Sequence, residues 1–371
     1  MLALTASAAS SPDAQLAAIR AAHAWIVPTW SDAQQAASEA MHPLDEVLRL
    51  PGSTRHFTRA RFDSYQLALD WWPHDHPPLP HVVEYGNGKA MPCALCHLPN
   101  GAGERFNAPL AGLPEAYILE QLQAFRQGTR RSQEMHLEAT AFSEAELRQA
   151  AAYYAGLRMP AGRTRVIEAA LVPRTRVDFY MQVPVRGGGV EPIGERIVET
   201  SQNLAHTALR DERTGFIAWV PPGSLARGSK LASAGDGGTT ACVACHGEGL
   251  RGVANIPPLA GRSPTYLLHQ LVKFRLGYRG GPAAVPMQQE VSRLSLGDMI
   301  AVAAYSASLL PGGSLQLRAG RVDRHEAKPV VHRVSAHASS TPPLTRFAGP
   351  PPASSAQPAM PASVIAEAVT R

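Results

Sequence analysis

Cys93-Ala94-Leu95-Cys96-His97 recurs as Cys242-Val243-Ala244-Cys245-His246, 149 residues further along the chain. The two pentapeptides hold all 4 cysteines of the 371-residue sequence. The register extends well beyond them. Pro109-Leu110-Ala111-Gly112 matches Pro258-Leu259-Ala260-Gly261, and Tyr117 matches Tyr266. Gln121-Leu122 matches Gln270-Leu271, Phe125-Arg126 matches Phe274-Arg275, and Gly128 matches Gly277. From Met135 and Met287 onward the offset becomes 152, through Ser143 and Ser295, Ala152-Tyr153 and Ala304-Tyr305, and Leu157 and Leu309. The chain therefore repeats one module twice, and the second copy has three extra residues before its methionine.

Each copy reads as helical. Ile118, Leu122 and Phe125 stand at i, i+4 and i+7, as do Leu267, Leu271 and Phe274, which places each trio on one helix face. Ser143 with Glu146 forms a capping box that opens the last helix of the first copy, and Ser295 with Asp298 is its weaker counterpart. Pro160 and Pro311 stop these helices.

The chemistry follows from the spacing. Two thiols separated by two residues reach both vinyl groups at one edge of a haem, and the next residue, a histidine, then lies beneath the iron. A redox dithiol or half of a zinc site is the competing reading. A zinc site needs both dithiols to converge on one ion, whereas the duplicated downstream sequence gives each motif its own module. The cofactors expected are therefore two covalently bound haem c groups, on Cys93 and Cys96 with His97, and on Cys242 and Cys245 with His246. A ligating imidazole needs an acceptor for its second N–H. Pro109 and Pro258 each lie 12 residues after their histidine, and their carbonyls are the expected acceptors. Met135 and Met287, each eight residues before a helix-opening serine, are read as loop residues and as sixth ligands of the iron; His136, beside Met135, is the alternative in the first copy.

With these residues in view, each copy resembles a class I cytochrome c, and the pair resembles the tandem dihaem c-type cytochromes of bacterial respiratory chains. The resemblance covers roughly residues 82–158 and 224–310. It implies thioethers at the four cysteines, proximal ligation by His97 and His246, a proline carbonyl behind each histidine, and distal ligation by Met135 and Met287. It also implies maturation in the periplasm, since haem is attached to such motifs outside the cytoplasmic membrane.

The remaining sequence departs from that compact pattern. Residues 1–81 form an N-terminal arm, with Ala6-Ser7-Ala8 suggesting the remnant of a truncated signal peptide at 1–9. Asp13 to Trp25 has the composition of a helix, and the run Trp71-Trp72-Pro73-His74-Asp75-His76-Pro77-Pro78 reads as an extended arm packed on the first haem domain. His74, His76 and His81 read as solvated loop histidines, because no closing set of metal ligands is visible near them. Residues 159–223 read as a small β-rich insert, with strand-like runs at 176–185, 197–198 and 215–220 and a turn at Gly187-Gly188-Gly189. Residues 311–371 are rich in Pro, Ala and Ser and are expected to form a disordered tail. The expected fold is mainly α, with two cytochrome c-like haem domains in tandem at 82–158 and 224–310.

The formal charge is +5. Seven basic residues against three acidic ones in 311–371 supply most of it, and no basic stripe with interleaved aromatics exists, which argues against nucleic acid as a partner. No apolar run is long enough to span a membrane. An iron held by His and Met has no open position and suits single-electron transfer. The expected function is that of a periplasmic electron carrier between a redox-protein donor and acceptor, without a catalytic residue. A dihaem peroxidase with one open haem, and a cytochrome subunit docked on a larger or membrane-bound oxidoreductase, are the alternatives.

Overall fold

The computed structural model describes residues 12–26, 43–178 and 181–311. The expected signal-peptide remnant and the expected disordered tail beyond residue 311 lie outside them. Thirteen α-helices and nine strands occur among the described residues. Helix α1 (Pro12–Ile26) is followed by a β1 (Val47–Arg49) and β2 (His56–Thr58) antiparallel pair, and then by a short helix α2 (Arg59–Asp63).

The first module comprises α3 (His81–Glu84), α4 (Cys93–His97), α5 (Glu115–Arg126), α6 (Gln133–Ala141) and α7 (Glu144–Gly156). Its core gathers Val82, Val83, Ala94, Ala111, Ile118, Phe142, Leu147, Ala151 and Tyr154. Ser143 opens α7 through the expected capping box: its amide donates to Glu146 Oε2 at 2.7 Å, and the Glu146 amide donates to its hydroxyl at 3.3 Å.

Between the modules run β3 (Thr164–Glu168), β4 (Leu171–Pro173), β5 (Thr175–Asp178), β6 (Met181–Pro184), β7 (Val190–Pro192), β8 (Val198–Ser201), the short helix α8 (Leu204–Ala208) and β9 (Phe216–Val220). The run read as one strand at 176–185 is a pair, β5 antiparallel to β6. β9 is the centre of a three-stranded sheet, parallel to β3 and antiparallel to β8. Phe216, Ala218 and Val220 alternate inward along β9, the period of two that a half-buried strand requires. Ala218 and Val220 join Ile197 in the core of the second module, so this sheet is continuous with that core and is no satellite.

The second module comprises α9 (Ser224–Ala234), α10 (Val243–His246), α11 (Pro264–Arg275), α12 (Val285–Val291) and α13 (Leu296–Ser308). Helices α9 and α13 cross at Gly228, where an added Cβ would stand 2.0 Å from the Ala301 carbonyl oxygen. Only glycine permits that approach. The first module has a single turn, α3, where the second has the eleven residues of α9.

The helix read over Asp13 to Trp25 is α1, and it packs on the second module. Ile19 and Ala22 of α1 are buried against Leu267, Leu268 and Val272, so α1 covers α11 of the second module. The Trp71–Pro78 run meets the first module where the His76 ring packs edge-on against Tyr153, and its tryptophans bond the segment after α8: Trp71 Nε1 donates to the Leu209 carbonyl at 2.7 Å, and Trp72 Nε1 to Asp211 Oδ1 at 2.8 Å. Indole N–H groups seek such acceptors when their rings are buried.

Across the junction, Arg130 and Arg279, matched at the offset of 149, pair as an isolated antiparallel bridge. Arg130 donates to Gln121 Oε1 at 2.8 Å and Gln270 Oε1 at 2.9 Å, and Arg279 donates to the same two atoms at 2.9 and 3.2 Å. The matched tyrosines complete the set: Arg279 reaches the Tyr117 hydroxyl at 3.1 Å and Arg130 the Tyr266 hydroxyl at 3.5 Å. The two modules are thus joined by a local two-fold arrangement of repeated residues.

Candidate functional site

Each Cys-x-x-Cys-His motif forms about one helical turn, α4 and α10, followed by a left-handed residue, Leu98 (φ 65) or Gly247 (φ 75). The reversal starts a tight loop that returns beneath the histidine. In the first copy the Gly103 amide donates to the His97 carbonyl at 3.0 Å, and in the second the Gly252 amide donates to the His246 carbonyl at 2.7 Å. Both glycines have positive φ, and an added Cβ would come within 2.4 Å of the Asn107 carbonyl or 2.7 Å of the Ile256 carbonyl.

This loop sets the acceptor for each imidazole. His97 Nδ1 lies 2.9 Å from the Ala108 carbonyl and His246 Nδ1 lies 2.8 Å from the Pro257 carbonyl. The acceptors are one residue earlier than the expected Pro109 and Pro258 carbonyls. The reason is geometric: successive carbonyls point in different directions, and those of Pro109 and Pro258 both accept from the guanidinium of Arg262, with Nε 2.7 Å from the Pro258 oxygen. The following proline instead fixes the backbone just beyond the acceptor.

Both histidines are buried, and burial lowers their pKa below the ordinary value, so the rings are neutral near pH 7. With Nδ1–H donated to a carbonyl, Nε2 is left as a lone pair. No disulfide joins the four cysteines. Burial pushes Cys93 up to about 12 and Cys242 up to about 11, the reverse of the lowered value that a redox dithiol needs. Neutral, oriented imidazoles beside cysteines that form no disulfide fit a haem at each motif, which the histidine Nε2 would ligate and the two sulfurs would anchor.

Met135 and Met287 do not lie in loops. Met135 is in the first turn of α6, whose cap residue Ser132 accepts from the Met135 amide at 3.4 Å. Met287 follows Pro286 in the first turn of α12, where proline is tolerated because its missing N–H would have no helical partner. Both methionines are half-buried, and Met287 packs against the second core. His136 is exposed, and its Nδ1 is 2.9 Å from the Phe125 carbonyl.

Arg262, Arg130 and Arg279 were not singled out in the sequence. All three are buried, and their partners are amide, phenol and carbonyl oxygens. The shared offset of Arg130 and Arg279 was the available signal for that pair. Arg262 has Leu113 as its counterpart in the first copy, so the repeat gives no sign of it.

No helix among the described residues is long and apolar enough to cross a membrane. The Cytochrome c family profile matches residues 225–309. Cytochrome c4 of Pseudomonas aeruginosa is 28% identical over 228 residues, covering 60% of this chain and 87% of the relative. The solved thiosulfate dehydrogenase (TsdBA) of Marichromatium purpuratum, in its as-isolated form, aligns at a TM-score of 0.44 and 27% identity, over 62% of this chain and 40% of that one. The thiosulfate dehydrogenase electron acceptor of Stutzerimonas stutzeri is 30% identical over 226 residues, covering 60% of this chain and 81% of the relative. At that identity and coverage, the chain belongs to the class I dihaem c-type cytochromes, electron-transfer proteins that carry two covalently bound haems.

Proposed function

We propose that this chain is a periplasmic single-electron carrier that takes electrons from a dehydrogenase and passes them to a further redox protein. The observation that supports it best is the matched support of two buried, neutral histidines, His97 on the Ala108 carbonyl and His246 on the Pro257 carbonyl. A haem bound there supplies a one-electron iron couple. In this reading His97 and His246 would be the proximal ligands, the four cysteines the thioether anchors, and Met135 and Met287 the remaining protein ligands of the irons. A thioether favours the reduced iron and raises the potential, which suits a carrier downstream of a dehydrogenase. The chain's own part is to hold both imidazoles rigid and neutral, so that little rearrangement accompanies the change of charge. Two relatives are named as electron acceptors of thiosulfate dehydrogenase, and a donor of that kind is the one proposed for this chain.

The test is to mix the periplasmically matured, oxidised protein with thiosulfate and a catalytic amount of a thiosulfate dehydrogenase. Reduction of both haems, with no spectral change when carbon monoxide is added to the reduced protein, is expected. Carbon monoxide binding to about half of the haem would replace the carrier by a peroxidase-like reading. Failure of reduction with both irons closed would remove only the proposed donor.

A further inference from the structure

We propose that Asp70, His76 and Glu212 form a binding site for one divalent transition-metal ion, of the class that takes mixed imidazole and carboxylate ligands. One ligand atom from each residue lies within 4.8 Å of those of the other two. The site joins the N-terminal arm, which supplies Asp70 and His76, to the segment after α8, which supplies Glu212. It is separate from the Cys-x-x-Cys-His motifs and uses only residues outside the repeated modules.

Three observations point to a cation. First, the His76 side chain is only 2% exposed, so it is not the solvated loop histidine that its Pro-rich surroundings suggest. His74 and His81, by contrast, are exposed. Second, His76 Nδ1 is 2.9 Å from the Pro77 carbonyl, which places the proton on Nδ1 and leaves Nε2 as a lone pair. That is the carbonyl support typical of metal-bound histidines. The free Nε2 faces Asp70 Oδ1 at 3.3 Å, so two lone pairs oppose each other unless a positive charge lies between them. Third, Glu212 is 1% exposed, and neither carboxylate oxygen hydrogen-bonds another residue among those described.

A proton on His76 would satisfy Asp70 but would leave Glu212 without a partner. The nearby Arg213 guanidinium does not serve either, because it is held by Asp75 at 2.6 and 2.7 Å. A doubly charged ion balances both carboxylates and uses the free nitrogen. The 3.3 Å separation also suits such an ion, since tetrahedral bonds of about 2.0–2.1 Å set ligand atoms roughly 3.3–3.4 Å apart. Calcium and magnesium prefer all-oxygen sites, so the nitrogen ligand selects a zinc-like ion. Three protein ligands leave a fourth position for water.

The site's surroundings give it a structural role. The Asn100 side chain, three residues after His97, donates to the Glu212 carbonyl at 3.0 Å. The His76 ring meets the Tyr153 ring edge-on at 6.5 Å, and the Tyr153 hydroxyl donates to the Pro99 carbonyl at 2.8 Å. An ion here would clamp arm and insert onto the loop that follows the first haem motif.

The experiment uses the full dihaem protein, stripped with a chelator and then titrated calorimetrically with Zn2+ alone, with metal content measured alongside iron. One Zn2+ per two irons is expected, with a rise in Tm on binding. His76→Gln, Glu212→Gln and Asp70→Asn should each weaken binding by 100-fold or more and abolish the rise, whereas His74→Gln should bind as the parent does. Should any of the three variants fail to fold, the parent titration and the remaining variants still decide. The proposal is overturned if the stripped parent takes up no Zn2+, or if Zn2+ binds equally to the parent and the three variants, which would mark adventitious surface binding.

Discussion

The guanidinium of Arg262 donates to the carbonyl of Pro109, in the opposite module, while its Nε donates to the Pro258 carbonyl of its own. Each of those carbonyls is one residue past the carbonyl that steadies a histidine, Ala108 for His97 and Pro257 for His246. One side chain therefore ties both histidine-supporting loops together. Burial lowers its pKa to about 10, which leaves it charged at neutral pH.

Arg262→Gln should consequently affect both haems at once. Orphaned buried acceptors cost about 1–3 kcal/mol each, and Arg262 also reaches the Ala111 carbonyl at 3.1 Å, so a stability loss of roughly 3 kcal/mol or more is expected. Loss of a buried positive charge disfavours the electron-rich state, so both midpoint potentials should fall by tens of millivolts, where ~59 mV is a tenfold change for one electron. Denaturant titration and spectroelectrochemistry check the two effects. A fall in only one potential would show that Arg262 does not couple the loops.

Gly228 makes the second module's helix crossing the most sensitive packing point. In Gly228→Ala, the new methyl would stand 2.0 Å from the Ala301 oxygen and 2.6 Å from its carbonyl carbon, both backbone atoms that cannot swing aside. Helices α9 and α13 must part, at about 1–3 kcal/mol or more. Thermal unfolding of the dihaem protein should show a lower Tm, with the haem spectrum unchanged at 25 °C. An unchanged Tm would mean that the crossing is looser than its geometry requires.

The repeated part of this fold was legible because duplication supplied its own control. The capping box, the buried helix face (α5 and α11) and the Cys-x-x-Cys-His motif each appear twice, and agreement between copies separates signal from chance. What the sequence hid depends on long-range geometry. The direction of a carbonyl within a loop decided for Ala108 over Pro109. Glu212 lies 136 positions beyond His76, so that partner could not be seen from the histidine's neighbours. The arm's helix α1 buries only Ile19 and Ala22 among its described side chains, too small a face to announce which module it covers.

Met135→Ala and Met287→Ala test the proposed distal ligands one at a time. Each should open one iron, so carbon monoxide should shift about half of the reduced haem spectrum in either variant and all of it in the double variant. The potential of the altered haem should also fall, because the thioether no longer favours reduced iron. If Met135→Ala stays closed to carbon monoxide, His136 is the obvious replacement, since its exposed ring has only Nδ1 engaged. Met135→Ala with His136→Ala would then open it.

The acid limb of stability should depend on Arg227. Its guanidinium binds Asp236 and, at 2.7 Å, Asp298, which completes the capping box of Ser295 at the start of α13, so it pins α9 to the helix it crosses. The Arg227 hydrogen bond, followed by that from Lys230 at 3.1 Å, holds Asp236 down to about 2. Burial alone would raise Asp298, but Arg227 and Ser295 more than offset it and the net shift is downward. Both carboxyls thus have folded pKa values below their unfolded ones near 3.8. The unfolded chain binds more protons in that window, so the stabilisation is present above about pH 4 and is lost as pH falls toward 2. Arg227→Gln should flatten the decline of Tm between pH 4 and 2 and lower Tm slightly at pH 7, with the difference shrinking in high salt where the half-buried Asp236 contact is partly screened. A variant whose acid limb is as steep as the parent's would place the titrating groups elsewhere in the molecule.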